Sequence, residues 1–217
     1  MGIAGSVRGF VMALCVVGVA VGADAAPIFL DFDGVGSGAT ANSAAAGSGL
    51  RFDLGAFLPE LDAFGDPIPG TDAYRPDPTA VDDVRVGNPN ARGYGNAPSP
   101  VNALDAIDQG VLITFDTPLD ISAFAVTLDL SALGFPGNFD IVFQDENGGV
   151  LQLLPTAQSV PGFVAAFSGS LLDVASIYLP SGAYYDNLSL TVPEPALGLV
   201  LGLGLALLMG ASRRSAR

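Results

Sequence analysis

The chain has 217 residues, with eight arginines, no lysine, no histidine, 22 acidic residues and one cysteine, and a formal charge of −14. Without histidine, lysine or a cysteine outside the N-terminal segment, it lacks the parts for Ser/His/Asp or Cys/His catalysis, for Schiff-base chemistry and for histidine-bound zinc. The acidic balance repels phosphate backbones and excludes nucleic acid as a partner.

The N-terminus reads as a secretory signal peptide over residues 1–25. Arg8 is the charged start, residues 10–21 are an apolar run, and Ala23-Asp24-Ala25 is a small-x-small site for signal peptidase. An uncleaved anchor is the alternative, but the apolar run is short for a membrane span. Cys15 lies inside the signal and follows Leu14, not the small residue a lipoprotein site requires. The mature protein is therefore expected to have no thiol and no disulfide, and to hold together by packing alone.

Residues 26–191 amount to one domain. From 26 to 192 four arginines (Arg51, Arg75, Arg85, Arg92) stand against eighteen aspartates and two glutamates, a net charge of −16. "APIFLDFDG" predicts a strand running into a turn, with Ile28, Leu30 and Phe32 on one face. "GSGATANSAAAGSG" reads as a small-residue linker without the capacity to pack. "LRFDLGAFL" alternates again, with Leu50, Phe52 and Leu54 on one side. Residues 59–100 are rich in Pro, Gly, Asp and Asn and predict an irregular, loop-rich insertion around one short strand at "DDVRV".

Beyond residue 101 the pattern is clean β. "GVLITFDTPLD" places Val111, Ile113 and Phe115 on one face, and "ISAFAVTLDL" does the same for Phe124, Val126, Leu128 and Leu130. "NFDIVFQDENGGVLQLLP" predicts a hairpin with Phe139, Ile141 and Phe143 opposite Leu151 and Leu153, turning at Asn147-Gly148 in a type I′ turn. "GFVAAFSG", "LLDVASIYLP" and "AYYDNLSLTV" supply three more strands. Short strands with Gly/Pro punctuation predict an all-β fold, an antiparallel β-sandwich or jelly roll.

The tail differs in kind. Residues 196–211 are sixteen apolar or glycine residues, long enough as a helix for about 24 Å, against a hydrocarbon core of about 30 Å. Arg213, Arg214 and Arg217 close the chain; the first two extend the span by snorkelling and, as residues kept on the cytoplasmic side, place the N-terminal domain outside the membrane. Gly198 and Gly202 form a GxxxG pair that could pack helices. Just before the apolar run, Pro193 and Pro195 hold Glu194 in an extended segment that neither helix nor sheet can absorb, a shape a processing enzyme can grip.

Pro-Glu-Pro, a short apolar helix and an arginine-rich end, in that order at the C-terminus, resemble the PEP-CTERM sorting signal over residues 192–217. That resemblance implies a Gram-negative exported protein whose tail is recognised and removed by exosortase, a membrane-embedded cysteine transpeptidase-like enzyme, often in makers of exopolysaccharide or biofilm. Residues 99–190, with "ITFDTP" before a core strand and "DNLSL" before the tail, resemble β-sandwich ectodomains found with that signal. The resemblance carries no activity across.

Three weaker features complete the reading. In "AYYDNLSL", alternation places Tyr184, Asp186, Leu188 and Leu190 on one face, so Asp186 is expected to be buried with the leucines. A buried carboxylate needs a counter-charge, and a structural Ca²⁺ shared with Asp31 and Asp33 is one answer. The competing answer is an arginine or backbone N–H groups. Tyr74 and Tyr94, in the loop-rich region, are candidate sugar contacts or simply anchors of irregular backbone. Paired carboxylates leave a glycosidase formally open without any spacing signature. The chain is therefore expected to be a non-enzymatic, exported surface or matrix protein, structural or adhesive in exopolysaccharide. A carbohydrate-binding module is the alternative, and a carboxylate-dependent glycosidase a remote one.

Overall fold

A computed structural model describes residues 26–89, 102–129, 139–156 and 162–193. Residues 1–25 and the apolar run 196–211 lie outside them. Among the described residues no helix is long and apolar enough to cross a membrane.

The regular structure is almost entirely antiparallel β. In chain order it comprises β1 (Ala26–Leu30), α1 (Ala41–Ala44), β2 (Leu50–Leu58), β3 (Ala73–Pro76), β4 (Val86–Gly87), β5 (Ala103–Ala106), β6 (Val111–Asp129), β7 (Asp140–Gln144), β8 (Val150–Pro155), β9 (Phe163–Leu179) and β10 (Ala183–Val192). One path of hydrogen-bonded neighbours runs β4-β5-β10-β6-β9-β7-β8, with β1 added on β10, β2 on β6, and β3 on β2.

The two long strands β6 and β9 organise the rest. They pair from Val111↔Leu179 to Leu128↔Phe163, but the register shifts three times between Thr114 and Ala123. Such irregularities bend a strand and strengthen its twist. Before the shifts β6 lies beside β2, with Phe52 opposite Ile113. After them it lies beside β10, with Phe124 opposite Leu190. The bend brings the two stretches over a shared core. Phe143 of β7 meets Phe124 of β6 edge-on at 5.1 Å and Phe167 of β9 at 5.4 Å. Ile113, Val126, Leu128, Ile141 and Ile177 are buried around them.

Several sequence expectations need correction. The strands expected at "GVLITFDTPLD" and "ISAFAVTLDL" are one continuous β6, and those at "GFVAAFSG" and "LLDVASIYLP" are one β9. Pro118 and Gly169 mark irregular stretches within strands, not ends. The small-residue "linker" packs: Ala41 and Ala45 are buried in the core. Asn42 pins α1 to β2 by accepting from the Phe52 N–H at 2.7 Å and donating to its carbonyl at 2.9 Å. β3, inside the loop-rich insertion, was not expected; it pairs with β2 from Gly55↔Pro76 to Leu58↔Ala73. Residues 90–101 of that insertion lie outside the described residues.

The β7–β8 hairpin forms, but with another turn. Type I′ requires positive φ at both central residues, and of Asn147 and Gly148 only Gly148 is left-handed, at φ 81°. The Asp145 carboxylate instead closes a longer loop, accepting from the Asn147 and Gly149 N–H groups at 2.8 and 2.7 Å. On β8 the inward residue is Leu154, while Leu151 and Leu153 are solvent-exposed.

Candidate functional site

The Pro-Glu-Pro stretch of the sequence begins where the sheet stops. β10 ends at Val192, paired with Ala26 of β1, and Pro193 follows, exposed. Proline has no N–H to continue the ladder. The pairing brings the first and last residues of the sheet side by side, so both chain ends leave the domain together. Glu194, Pro195, Arg213, Arg214 and Arg217 lie outside the described residues.

Tyr74 of β3 stacks on Tyr178 of β9, with ring centroids 3.7 Å apart and planes 14° from parallel. Phe57 leans on Tyr74 at 5.1 Å. Tyr178 lies so close over Gly110 that a Cβ there would fall 2.1 Å from its hydroxyl, so Gly110 is the one residue that admits the ring. The stack gives Tyr74 an anchoring role: it fastens β3 to the sheet. Tyr94, its expected partner in sugar contact, lies outside the described residues. Within an alternating strand, nothing in the sequence marks Tyr178 as the base of an aromatic stack.

Burial, with a smaller push from Tyr74, raises the Tyr178 hydroxyl to about 12 from its usual 10.0. Tyr185, fully buried and donating to the Pro180 carbonyl at 2.7 Å, is also raised, by burial first. Above the unfolded phenol value the folded state keeps protons that the unfolded chain releases. This contribution is therefore fully present below pH 10 and is lost as pH rises through about 12. Spectrophotometric titration is expected to show Tyr178 ionising near pH 12 and Tyr185 only on unfolding. Ionisation of both near pH 10 would contradict the packing.

Beside the stack, Tyr74, Arg75, Thr114, Asp145, Glu146 and Ser176 line an open groove of about 320 Å³. The Arg75 Nε atom is buried there without an acceptor, and its guanidinium lies 3.7 Å from Glu60.

The third site is at Asp186, and its local geometry differs from simple alternation. Asp186 pairs with Thr127, but Ser189 pairs with Ala125, so β10 carries one extra residue between them. Asn187 absorbs it at a left-handed φ of 50°, where asparagine is among the tolerated residues. The bulge resets the alternation. Tyr185, Leu188 and Leu190 face the main core, while Tyr184 and Asp186 face the opposite side. Tyr184 joins a small separate cluster there with Ala103 and Ile107. Asp186 is nonetheless 0 % exposed, so it is buried on the face opposite to the one expected.

β1 ends at Leu30↔Leu188, which leaves "DFD" to run past Asp186. Burial pushes the Asp186 carboxyl up. The Asn187 N–H opposes this, the charges of Asp33 and Asp31 add to it, and the Phe32 N–H opposes it weakly. Its Oδ2 accepts from the Asn187 side-chain amide at 3.3 Å, and its Oδ1 is buried with no partner at hydrogen-bonding distance and angle. The three described arginines pair elsewhere, with Asp53, Glu60 and Asp82. No group of three His, Cys, Asp or Glu side chains among the described residues is already gathered as a metal cage.

Asn102, which the sequence reading did not single out, belongs to the same place. Its N–H donates to Asp33 Oδ1 at 3.2 Å and its Nδ2 to the Val35 carbonyl at 2.7 Å. Asn102 is 5 % exposed and its Oδ1 is buried without a donor. An isolated asparagine between Val101 and Ala103 carries no motif, so only the fold could find it.

No protein-family model matches the chain, and no curated protein matches it.

Proposed function

We propose that this is an exported surface or extracellular-matrix protein, non-catalytic, whose C-terminal tail directs membrane retention and then removal by an exosortase-type enzyme. The observation that carries the reading is the position of the motif: the last strand ends at Val192, and Pro193-Glu194-Pro195 follow at once. In the sequence, a proline-flanked glutamate lies between the last strand and the apolar run 196–211, with Arg213, Arg214 and Arg217 beyond it. The pairing of Ala26 with Val192 supports it, because export and sorting signals then both attach at one end of the domain. The remaining surface, acidic and without lysine, stays free to face a hydrated matrix. We read the curled sheet as a β-sandwich of jelly-roll type, on the strength of the Phe143 contacts to Phe124 and Phe167, and residues 1–25 as a cleaved signal peptide.

Fractionation of the native host tests the proposal. The protein is expected at the outer surface and in the matrix, co-purifying with exopolysaccharide. Recovery of most of it in the cytoplasm would end the proposal. The groove favours a second reading, carbohydrate binding, since it combines hydroxyls, carboxylates and the Arg75 guanidinium beside a tyrosine. Glycan-array binding by the purified protein separates the two: a saturable glycan ligand supports the module, and none leaves the structural role.

A further inference from the structure

We propose that the groove beside the Tyr74 stack holds an uncharged segment of polysaccharide, whose hydroxyls accept from Arg75 and donate to Asp145 and Glu146. This deepens the carbohydrate-binding reading and rests on it. The groove's floor is the sheet face turned away from the core. Ile113, Ile177 and Phe143 are in register across β6, β9 and β7 and are buried in the core. Their neighbours Thr114, Ser176 and Gln144 are in register in the same way, so that row faces the opposite side. β3 lies over it: Tyr74 stacks on Tyr178, and Ala73 sits so close to Gly148 of the β7–β8 turn that no Cβ fits there. A row that served only to pack under β3 would be apolar, because buried polar groups without partners are costly. Arg75 Nε and Gln144 Oε1 are both buried with no hydrogen-bond partner. Gln144 Nε2 donates to the Gly148 carbonyl at 3.0 Å, which fixes the amide with its oxygen as the atom left over.

The chemistry of the lining defines the ligand class. Arg75 Nη2 lies 3.7 Å from Glu60 and 3.5 Å from the Thr71 carbonyl, and neither contact uses Nε. The Nε–H therefore calls for an acceptor. Asp145 and Glu146, at the turn end of the groove, call for donors. The Asn147 and Gly149 N–H groups hold Asp145 in place through its Oδ1. The Thr114 and Ser176 hydroxyls can donate or accept. A group that accepts from a guanidinium and also donates to a carboxylate is a hydroxyl, and a sugar carries several at fixed spacing. One guanidinium stands against two carboxylates in the lining, so a uronate or sulfated chain would meet a net negative wall. Leu112, Phe115 and Pro118 offer apolar surface to the C–H faces of the rings. The groove's volume of about 320 Å³ is at the small end of the usual ~300–1,000 Å³ for ligand sites. Being open, it suits an internal stretch of a polymer, which must leave at both ends.

The test uses the full chain in a detergent without a sugar headgroup. Calorimetry is run with cellotetraose, maltotetraose and mannotetraose as neutral probes and tetragalacturonate as the charged one. A neutral probe is expected to bind saturably, and tetragalacturonate roughly tenfold more weakly or not at all. Arg75→Met should weaken the neutral probe by roughly tenfold or more, the effect of losing a charge-assisted hydrogen bond. Arg85→Met, which removes an exposed arginine outside the groove, should bind as the wild type does. Should Arg75→Met not fold, Ser176→Val, which replaces a floor hydroxyl by methyl groups, is expected to weaken binding to a similar degree. Binding that Arg75→Met and Ser176→Val leave unchanged keeps the carbohydrate reading and overturns this site. Tetragalacturonate bound as tightly as the neutral probes overturns the ligand class. No binding by any probe overturns the site and the reading together.

Discussion

Replacing Phe143 by alanine is expected to cost about 3–5 kcal/mol, the usual range for emptying a buried aromatic site. Phe143 is fully buried, and its ring is held edge-on by Phe124 and Phe167 at 5.1 and 5.4 Å. Each such pair is worth about 0.5–1.5 kcal/mol beyond area burial, and the three rings join β7 to the later half of β6 and the earlier half of β9. For a domain of this size the loss corresponds to a fall in melting temperature of roughly 6–20 °C, a large part of the total stability of a typical domain. Leu151→Ala is the control. That side chain is exposed on the edge strand β8, and its loss should stay within about 0.5 kcal/mol. Thermal or urea unfolding of both variants reads the difference. Equal effects would mean that the two stretches of the bent sheet do not share a core.

Glu194→Ala is expected to abolish processing rather than reduce stability. Glu194 follows the last strand in the sequence, and that strand's ladder ends at Val192. A proline after it disfavours helical backbone at that position, and it is the sole charge between the domain and sixteen apolar residues. An enzyme gripping this segment has one charged handle. The variant should accumulate at full length in the inner membrane, with Arg213 and Arg214 still holding the tail, while its ectodomain unfolds at the wild-type temperature. Pro193→Ala with Pro195→Ala should act in the same direction, because it releases the backbone and not the charge. Normal release of the Glu194 variant would remove the motif from the account.

Fold class was legible in the sequence because half-buried antiparallel strands alternate with period two. Leu50 and Phe52, Val111 and Ile113, and Phe124, Val126 and Leu128 are all buried as that pattern requires. Where the pattern misled, the physics was non-local. Pro118 reads as a stop, but β6 passes it at one of its register shifts, where no regular ladder bond is needed. Ala41 and Ala45 have no helical signature worth reading. They are buried because small side chains pack into the core, and Asn42 ties the short helix to β2 through the Phe52 backbone. The bulge at Asn187 could not be seen either. "YDNLSL" alternates smoothly on paper, and only the partners Thr127 and Ala125 reveal the extra residue that turns Asp186 away from Leu188. Burial of a carboxylate near Asp31 and Asp33 was readable from one strand; the contribution of Asn102 was not, since it lies 69 residues from Asp33 in the chain.

Intact-mass spectrometry of the protein recovered from the cell surface measures the fate of the tail directly. The predicted species begins at Ala26 and lacks the apolar run 196–211 with its terminal arginines. A surface protein that still ends at Arg217 would contradict the account.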